Sequence, residues 1–302
     1  PSIAVLPFAD MSPEQDQGFF CEGVAEEILN ALTRIPQLNV AARSSSFVYS
    51  TGSVDIRSVG RELGVGTVLE GRVRKSGERF RVKAQIIEDE NGYHLWSKSF
   101  NEELRDVFAI QDEIATSIAE SLLETLSPER QARIRTGSTT SVEAYEYYLR
   151  GRQFFSRFRR KDMEFALQMF KQAVDIDPGY AAAWAGYANC HSFLVMYVDP
   201  KPGYREAADD ASAKAVALDP DSAEAHAARG LACLVSENFE SAEQHFEQAL
   251  ELNPNLFEAY YFFARTRFHQ GRLDEAIELF KEAGAADPTD YQSRCLRIQV
   301  LR

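Results

Sequence analysis

A short phrase ending in proline returns at near-fixed intervals through the second half of this 302-residue chain, and it constrains the fold more than any other feature. It reads Ala-Val-Asp-Ile-Asp-Pro at 173–178, Ala-Val-Ala-Leu-Asp-Pro at 215–220, Ala-Leu-Glu-Leu-Asn-Pro at 249–254 and Ala-Gly-Ala-Ala-Asp-Pro at 283–288. The prolines Pro178, Pro220, Pro254 and Pro288 are 42, 34 and 34 residues apart. Proline disfavours helix in the residue before it, so each Asp-Pro or Asn-Pro predicts a helix end. Small residues keep the same register: Ala166, Ala208, Ala242 and Ala276 in each second helix, and Gly151, Ala188, Gly230 and Ala264 in each first helix. Two antiparallel helices approach closely only where such residues sit at the crossing. Phe170, Ser212, Phe246 and Phe280 follow four residues after the alanines, to fill the space between hairpins.

A 34-residue period of paired helices is that of the tetratricopeptide repeat, and residues 145–302 resemble that family. The expected array is four full repeats and a truncated fifth beginning at Tyr291. The second repeat is eight residues too long, and the turn-rich stretch Met196–Gly203 predicts an enlarged loop between its helices. About three extra residues fall near Phe158–Lys161 in the first.

The resemblance implies binding of a protein or peptide through the concave face, which the first helices line. Carried over position by position, it nominates Tyr145, Tyr148, Arg152, Phe155 and Ser156 in repeat one, and Ala182, Ala185, Asn189, Ser192 and Phe193 in repeat two. Repeat three supplies Glu224, Ala227, Leu231, Leu234 and Val235, and repeat four Glu258, Tyr261, Arg265, Phe268 and His269. The partner-binding candidates are Tyr148, Arg152, Phe155, Asn189, Glu224, Glu258, Tyr261, Arg265, Phe268 and His269. Tyr148/Arg152 and Tyr261/Arg265 stand four residues apart, on one helix face, and these residue types dominate interface energetics. The lysine-asparagine clamp with which chaperone-binding members hold a C-terminal carboxylate is missing here.

The first half reads as α/β in the order β-α-β-α-β-β-β-α. Ile3–Phe8 is an apolar strand. Ser12-Pro13-Glu14 offers a helix start, with Val24, Ile28, Ala31, Leu32 and Ile35 at helical spacing and Pro36 as its end. Leu38–Ala42 is a second strand, and Val54–Leu63 a helix closed by Gly64. A hairpin of 67–75 and 79–87 turns across Ser76-Gly77-Glu78. In it Phe80, Val82, Ala84 and Ile86 alternate with Arg79, Arg81, Lys83 and Gln85, so one face is buried and one is wet. Asn91-Gly92 predicts a turn, Tyr93–Phe100 a strand and Leu104–Leu126 an amphipathic helix.

Ser2-Ile-Ala-Val-Leu-Pro-Phe8, Arg43-Ser-Ser-Ser-Phe47, Val59-Gly-Arg-Glu-Leu-Gly64, Val68-Leu-Glu-Gly-Arg-Val73 and His94-Leu-Trp-Ser97 resemble the TolB-like amino-terminal domain. The resemblance covers residues 2–126. Joined to repeats, it implies a sensory or scaffolding region of a bacterial signalling protein whose output is an adenylate cyclase, a winged-helix activator or a serine/threonine kinase. The expected organisation is an α/β domain at 1–126, a linker at 127–142 and an all-α repeat array at 143–302. A start at Pro1 and an uncapped helical end at Arg302 suggest a fragment of a longer protein.

The remaining signals argue against chemistry. A formal charge of −13 disfavours a nucleic-acid-binding surface. Cys21, Cys190, Cys233 and Cys295 form no CxxC pair, and the five histidines form no i,i+4 pair, so neither metal nor disulfide framework is expected. Gly64-Val-Gly66 lacks the third glycine of a phosphate loop and reads as a helix C-cap before a strand. The acids Asp10, Glu14, Asp16, Glu22, Glu26 and Glu27 read as a solvated helix start. Arg150, Arg152, Arg157, Arg159, Arg160 and Lys161, among Phe154, Phe155 and Phe158, read as a basic rim on the first hairpin, or a dock for an acidic segment. No catalytic residue, cofactor or metal is expected. No apolar run has the length of a membrane span, and no signal peptide is evident. The compartment stays open: cytoplasmic, or periplasmic if a span precedes the chain. Self-association is open as well. An alternative reading is a small-molecule sensor attached to one of these outputs, with its ligand between the α/β domain and the first repeat.

Overall fold

The computed structural model describes residues 1–33, 35, 37–49, 55–76, 79–103, 107–123, 139–157, 159–198, 201–286 and 292–300. The chain divides into two units, Pro1–Gly137 and Ser138–Arg302. Several sequence expectations lie outside the described residues: Pro36 as a helix end, Val54, Gly77-Glu78 in the hairpin turn, Leu104, the stretch 124–138, Phe158, Asp199-Pro200, Asp287-Pro288 and Tyr291.

In the first unit β1 (Ser2–Val5) pairs in parallel with β3 (Asn39–Val40) and β4 (Thr67–Ser76), and the short β2 (Ala9–Asp10) also joins β4 in parallel. β5 (Arg79–Glu88) and β6 (His94–Glu103) extend the sheet antiparallel, giving the order β3-β1-β4-β5-β6. Ile3, Ala4 and Val5 are all fully buried, as a continuous apolar strand covered on both faces must be. On one face α1 (Gly18–Thr33) and α4 (Val107–Leu122) pack together and bury Val24, Ile28 and Leu32 with Ile110, Ile114 and Ile118. The Phe20 ring meets Phe80 of β5 edge-on at 5.8 Å. On the other face α3 (Ile56–Leu63) places Val59 against Ala4, Leu6, Val65 and Val68. Its start is capped by Asp55, which accepts the Arg57 N–H, and its end by Gly64 at φ +66.

Several details differ from expectation. The single first strand expected at Ile3–Phe8 is two, β1 ending at Val5 and the separate β2 at Ala9–Asp10. α1 begins at Gly18 rather than near Ser12, because the Asp10 carboxylate accepts the N–H groups of Ser12 and Gln17, both at 2.8 Å, and holds the intervening chain as a loop. The strand after α1 is two residues long. Arg43–Ser46 and Phe47–Tyr49 then form short helical turns, here α2 and a 3-10 turn.

The second unit is a stack of helical hairpins. α5 (Val142–Phe155) pairs with α6 (Arg160–Ile176), α7 (Ala181–Tyr197) with α8 (Pro202–Leu218), α9 (Ala223–Val235) with α10 (Phe239–Leu252), and α11 (Phe257–His269) with α12 (Leu273–Ala286). α13 (Gln292–Val300) packs on α12. Ala166, Ala208, Ala242 and Ala276 are fully buried at the crossings. At Gly151 and Gly230 a Cβ would lie 2.8 and 2.7 Å from the rings of Phe170 and Phe246, so the helices touch where only glycine fits.

The proline phrase works through the residue before it. Asp177, Asp219 and Asn253 close α6, α8 and α10, and each side chain accepts the N–H two residues on: Gly179 at 2.9 Å, Asp221 at 3.2 Å and Asn255 at 3.0 Å. Each is an Asx turn that carries the chain past the proline into the next hairpin.

The extra length of the second repeat is helix, not the enlarged loop expected. α7 and α8 have 17 residues each, against 13 and 14 for α9 and α10. Leu194, Val195 and Met196 continue the apolar face of α7, and Val195 and Met196 pack into the core of the next hairpin, so packing overrides the turn-rich composition. Pro202 opens α8 at its first turn, where no intrahelical N–H bond is lost. The first repeat behaves alike: α6 has 17 residues.

Candidate functional site

Alternate helices of the stack, α5, α7, α9 and α11, contribute to one groove. Its walls are Phe155 of α5, Asn189, Ser192, Phe193, Met196 and Tyr197 of α7, Ala227 and Leu231 of α9, and Glu258 and Phe262 of α11. The spacings are those of single helix faces: 189, 192, 193, 196 and 197, then 227 and 231, then 258 and 262. The groove encloses about 480 Å³, part of it open solvent. Its surface is mainly apolar and aromatic, with an amide, a hydroxyl and a carboxylate as polar points.

Two features mark its lining. Ser192 is fully buried, and its hydroxyl has no hydrogen-bond partner among the described residues; an unsatisfied buried hydroxyl costs about 1–3 kcal/mol. At the groove's end the Arg265 guanidinium donates to the Tyr197 hydroxyl and lies 5.5 Å from the Tyr197 ring centroid and 5.9 Å from that of Tyr261. The contact holds a cation beside the aromatic wall.

The sequence candidates divide. Phe155, Asn189 and Glu258 line the groove, and Arg265 borders it through Tyr197. Tyr148 does not face it: its ring is buried against Phe170 and Tyr180, with centroids 5.9 and 5.0 Å away, and its hydroxyl accepts from Arg152 at 3.3 Å. Arg152 is therefore engaged with Tyr148, its Cζ 5.8 Å from that ring. Tyr261 is also a core residue, packed among Phe257, Phe262 and Phe280 and donating to Gln292 at 3.0 Å. Burial pushes its hydroxyl pKa well up. The family position that nominates a ligand-facing tyrosine thus carries a packing one, and the neighbouring Phe262 faces the groove instead. Glu224 lies at the start of α9 and accepts from the Ser222 hydroxyl at 3.3 Å. Phe268 and His269 are exposed at the end of α11, with His269 stacked on Phe239 at 6.2 Å.

Sequence reasoning missed Met196, Tyr197 and Phe262. The apolar residues ending α7 were a usable signal, because they continue the i,i+3,i+4 face of Asn189 and Phe193. It also missed a contact across α9 and α10, where His226 and His245 bring their Nδ1 atoms to 3.0 Å and His226 Nε2 lies 2.9 Å from the Pro220 carbonyl. Since a carbonyl only accepts, Nε2 carries the proton in neutral His226, and His245 donates to its Nδ1. Among the described residues no group of three or more His, Cys, Asp or Glu side chains could hold a metal ion, and no helix is long and apolar enough to cross a membrane.

Comparison with known proteins agrees with the repeat geometry. Two tetratricopeptide-repeat models match the chain, over residues 203–256 and 234–294. A protein of Rhizobium meliloti strain 1021, provisionally named adenylate cyclase 3, is 42% identical over 185 residues, 61% of this chain and 32% of that protein. The transcriptional regulator HilA of Salmonella typhimurium is 23% identical over 294 residues, 95% of this chain and 51% of that protein. The chain thus spans between a third and a half of the length of these relatives. Among solved structures, a thermophilic TPR protein of Thermus thermophilus is similar at 22% identity and a TM-score of 0.44, covering 66% of this chain and 95% of that one. With the hairpin stack, the small-residue crossings and the two matching models together, the carboxy-terminal unit is built of tetratricopeptide repeats.

Proposed function

We propose that this chain is a non-catalytic partner-reading region of a bacterial signalling protein, and that a protein or peptide segment binds in the groove formed by α5, α7, α9 and α11. The observation that carries the reading is the groove itself: an apolar, aromatic-walled channel with Asn189 and Glu258 as polar points and Arg265 held at its end by Tyr197. Such a channel suits an apolar side-chain anchor with one or two backbone hydrogen bonds. The TolB-like resemblance of residues 2–126, and relatives named as an adenylate cyclase and a transcriptional regulator, support a place beside a signalling output domain. The partner-facing set is revised to Phe155, Asn189, Ser192, Phe193, Tyr197, Leu231, Glu258, Phe262 and Arg265.

The test is a random-peptide display selection against the 302-residue chain. Selected peptides should lose about tenfold or more in affinity, roughly 1.4 kcal/mol, in Leu231→Arg and in the Asn189→Ala/Arg265→Ala double variant. Peptides that bind both variants as tightly as the parent chain would show that the groove is not the recognition surface.

A further inference from the structure

The sheet of the first unit has one face covered by α1 and α4 and the other covered only in part. On that second face Val68 of β4 packs with Val59 of α3, and its register partner Ile87 of β5 is buried. Beyond them no described helix lies on the same face. There Arg72 stands directly opposite Lys83, and Arg74 directly opposite Arg81, and all four side chains are exposed. Like charges facing each other across strands destabilise a sheet. Among the described residues none of the four forms an ion pair with an acid. The basic stretch of the first repeat is different: Arg150, Arg157 and Arg160 pair with Glu146, Asp162 and Glu164, each at 3.5 Å. Positive charge is therefore concentrated on this hairpin, in a chain whose formal charge is −13; the acid next to it on the β4 face, Glu70, accepts from the Gln85 amide.

We propose that this face, centred on Arg72, Arg74, Arg81 and Lys83, docks an acidic polypeptide segment in extended conformation. Strands lie about 4.8 Å apart, and alternate residues on one strand about 6.8 Å apart. The second spacing is also that of alternate side chains on an extended peptide, so every other residue of such a segment meets the next cation row. Two rows of cations accept two carboxylates of an alternating acidic segment at once. A nucleic acid fits less well. The β6 residues opposite Lys83 and Arg81 are Ser99 and Asn101, so there is no aromatic platform on which bases could stack.

The test uses the full 302-residue chain and a labelled peptide of about four Glu-Ser pairs, whose alternate side chains span the cation rows, at low and at physiological salt. Binding is expected, weakening as salt rises, and about tenfold tighter than that of a peptide with the same composition in two blocks. Arg72→Ser/Arg81→Ser and, independently, Arg74→Ser/Lys83→Ser should each lose about tenfold or more. Arg157→Ser/Arg160→Ser should bind as the parent does. Because each hairpin double variant removes like-charge contacts, its Tm should not fall, which separates lost docking from lost folding. Absent binding, binding indifferent to the hairpin variants, or tighter binding of a single-stranded oligonucleotide of matched length or of anionic vesicles would each overturn the proposal.

Discussion

Arg267 of α11 places its Nη1 2.6 Å from Oε1 of Glu243 on α10, and the arginine side chain is only 8% exposed. The guanidinium also lies 3.3 Å from Glu275 of α12 and 4.7 Å above the Phe263 ring. One buried cation thus ties three consecutive helices across the third and fourth hairpins. Removing one partner of a buried pair leaves the other desolvated and unpaired, which typically costs about 3–5 kcal/mol. Glu243 is only partly buried and keeps Arg272 at 3.6 Å, so the two partners are not equivalent. We expect Glu243→Ala to destabilise the repeats by about 2 kcal/mol, because Arg267 loses its nearest carboxylate and keeps only Glu275 and, at 3.8 Å, the exposed Glu247, and Arg267→Met by less. Urea midpoints reversing that order would show that the pair contributes little beyond its packing.

The glycines of the repeats have opposite predicted responses. Gly230 faces the Phe246 ring, and an added Cβ at 2.7 Å would force a fully buried aromatic to move. Overpacking of this kind costs about 1–3 kcal/mol, more than the gain in helix propensity of about 1 kcal/mol. Gly284 lies inside α12 with nothing within 4 Å of its added Cβ. Gly230→Ala should therefore lower the thermal midpoint and Gly284→Ala should raise it. A measured pair of shifts with the same sign would contradict the close helix contact at Gly230.

Acid should weaken the repeat unit through its buried histidines. His191 lies in α7 between Tyr187 and Tyr204, with ring centroids 4.6 and 5.7 Å away, and neither of its nitrogens has a hydrogen-bond partner among the described residues. Burial lowers its pKa to about 4. His245 shifts the same way, through burial and then the nearby His226 and Arg229 charges. In the unfolded chain a histidine takes a proton near pH 6.5, whereas folded His191 refuses it until about pH 4. The unfolded state therefore binds more protons in that window, and stability falls as pH drops from about 6.5 to about 4, by roughly 3 kcal/mol for His191 alone. His191→Phe should keep the aromatic packing and lose this component. The difference in unfolding free energy between parent and variant should shift in favour of the variant between about pH 7 and about pH 4.5. A difference independent of pH would mean that His191 takes up its proton at the same pH in the fold as in the unfolded chain.

How much of this was readable in the residues depends on whether a position acts through its own chain neighbourhood. The proline phrase, the alanine crossings and the alternation of β5 are local patterns, and each lies where local geometry puts it. The added length of α7 and α8 was not readable, because Met196–Gly203 has turn composition and only the next hairpin's apolar surface keeps Val195 and Met196 helical. Tyr261 and Phe262 illustrate the same limit at the site. Adjacent residues differ by about 100° on a helix. Which of the two aromatics faces the groove is settled by Phe280 and Gln292, which hold Tyr261 in the core from well beyond its own helix. Glu26 read as a solvated acid, yet it is buried and pairs with Arg43 at 2.9 Å, a partner brought in by the short turn after β3.

The Asx turns at the hairpin junctions lead to a last prediction. Asn253 is buried, closes α10 with its backbone N–H on the Ala249 carbonyl, and uses its side-chain oxygen to accept the Asn255 N–H at 3.0 Å. An aspartate at this place keeps the acceptor, as Asp177 and Asp219 do in the earlier repeats. Alanine removes it and leaves the Asn255 N–H to solvent or unpaired, at about 1 kcal/mol for a net hydrogen bond and more if the group stays buried. We expect Asn253→Ala to cost about 1–2 kcal/mol and Asn253→Asp to cost less. Hydrogen exchange gives the local readout: Asn255 should exchange faster in the alanine variant than in the aspartate variant, while amides in the middle of α12 change equally in both. Equal exchange at Asn255 in the two variants would show that the proline alone holds the junction.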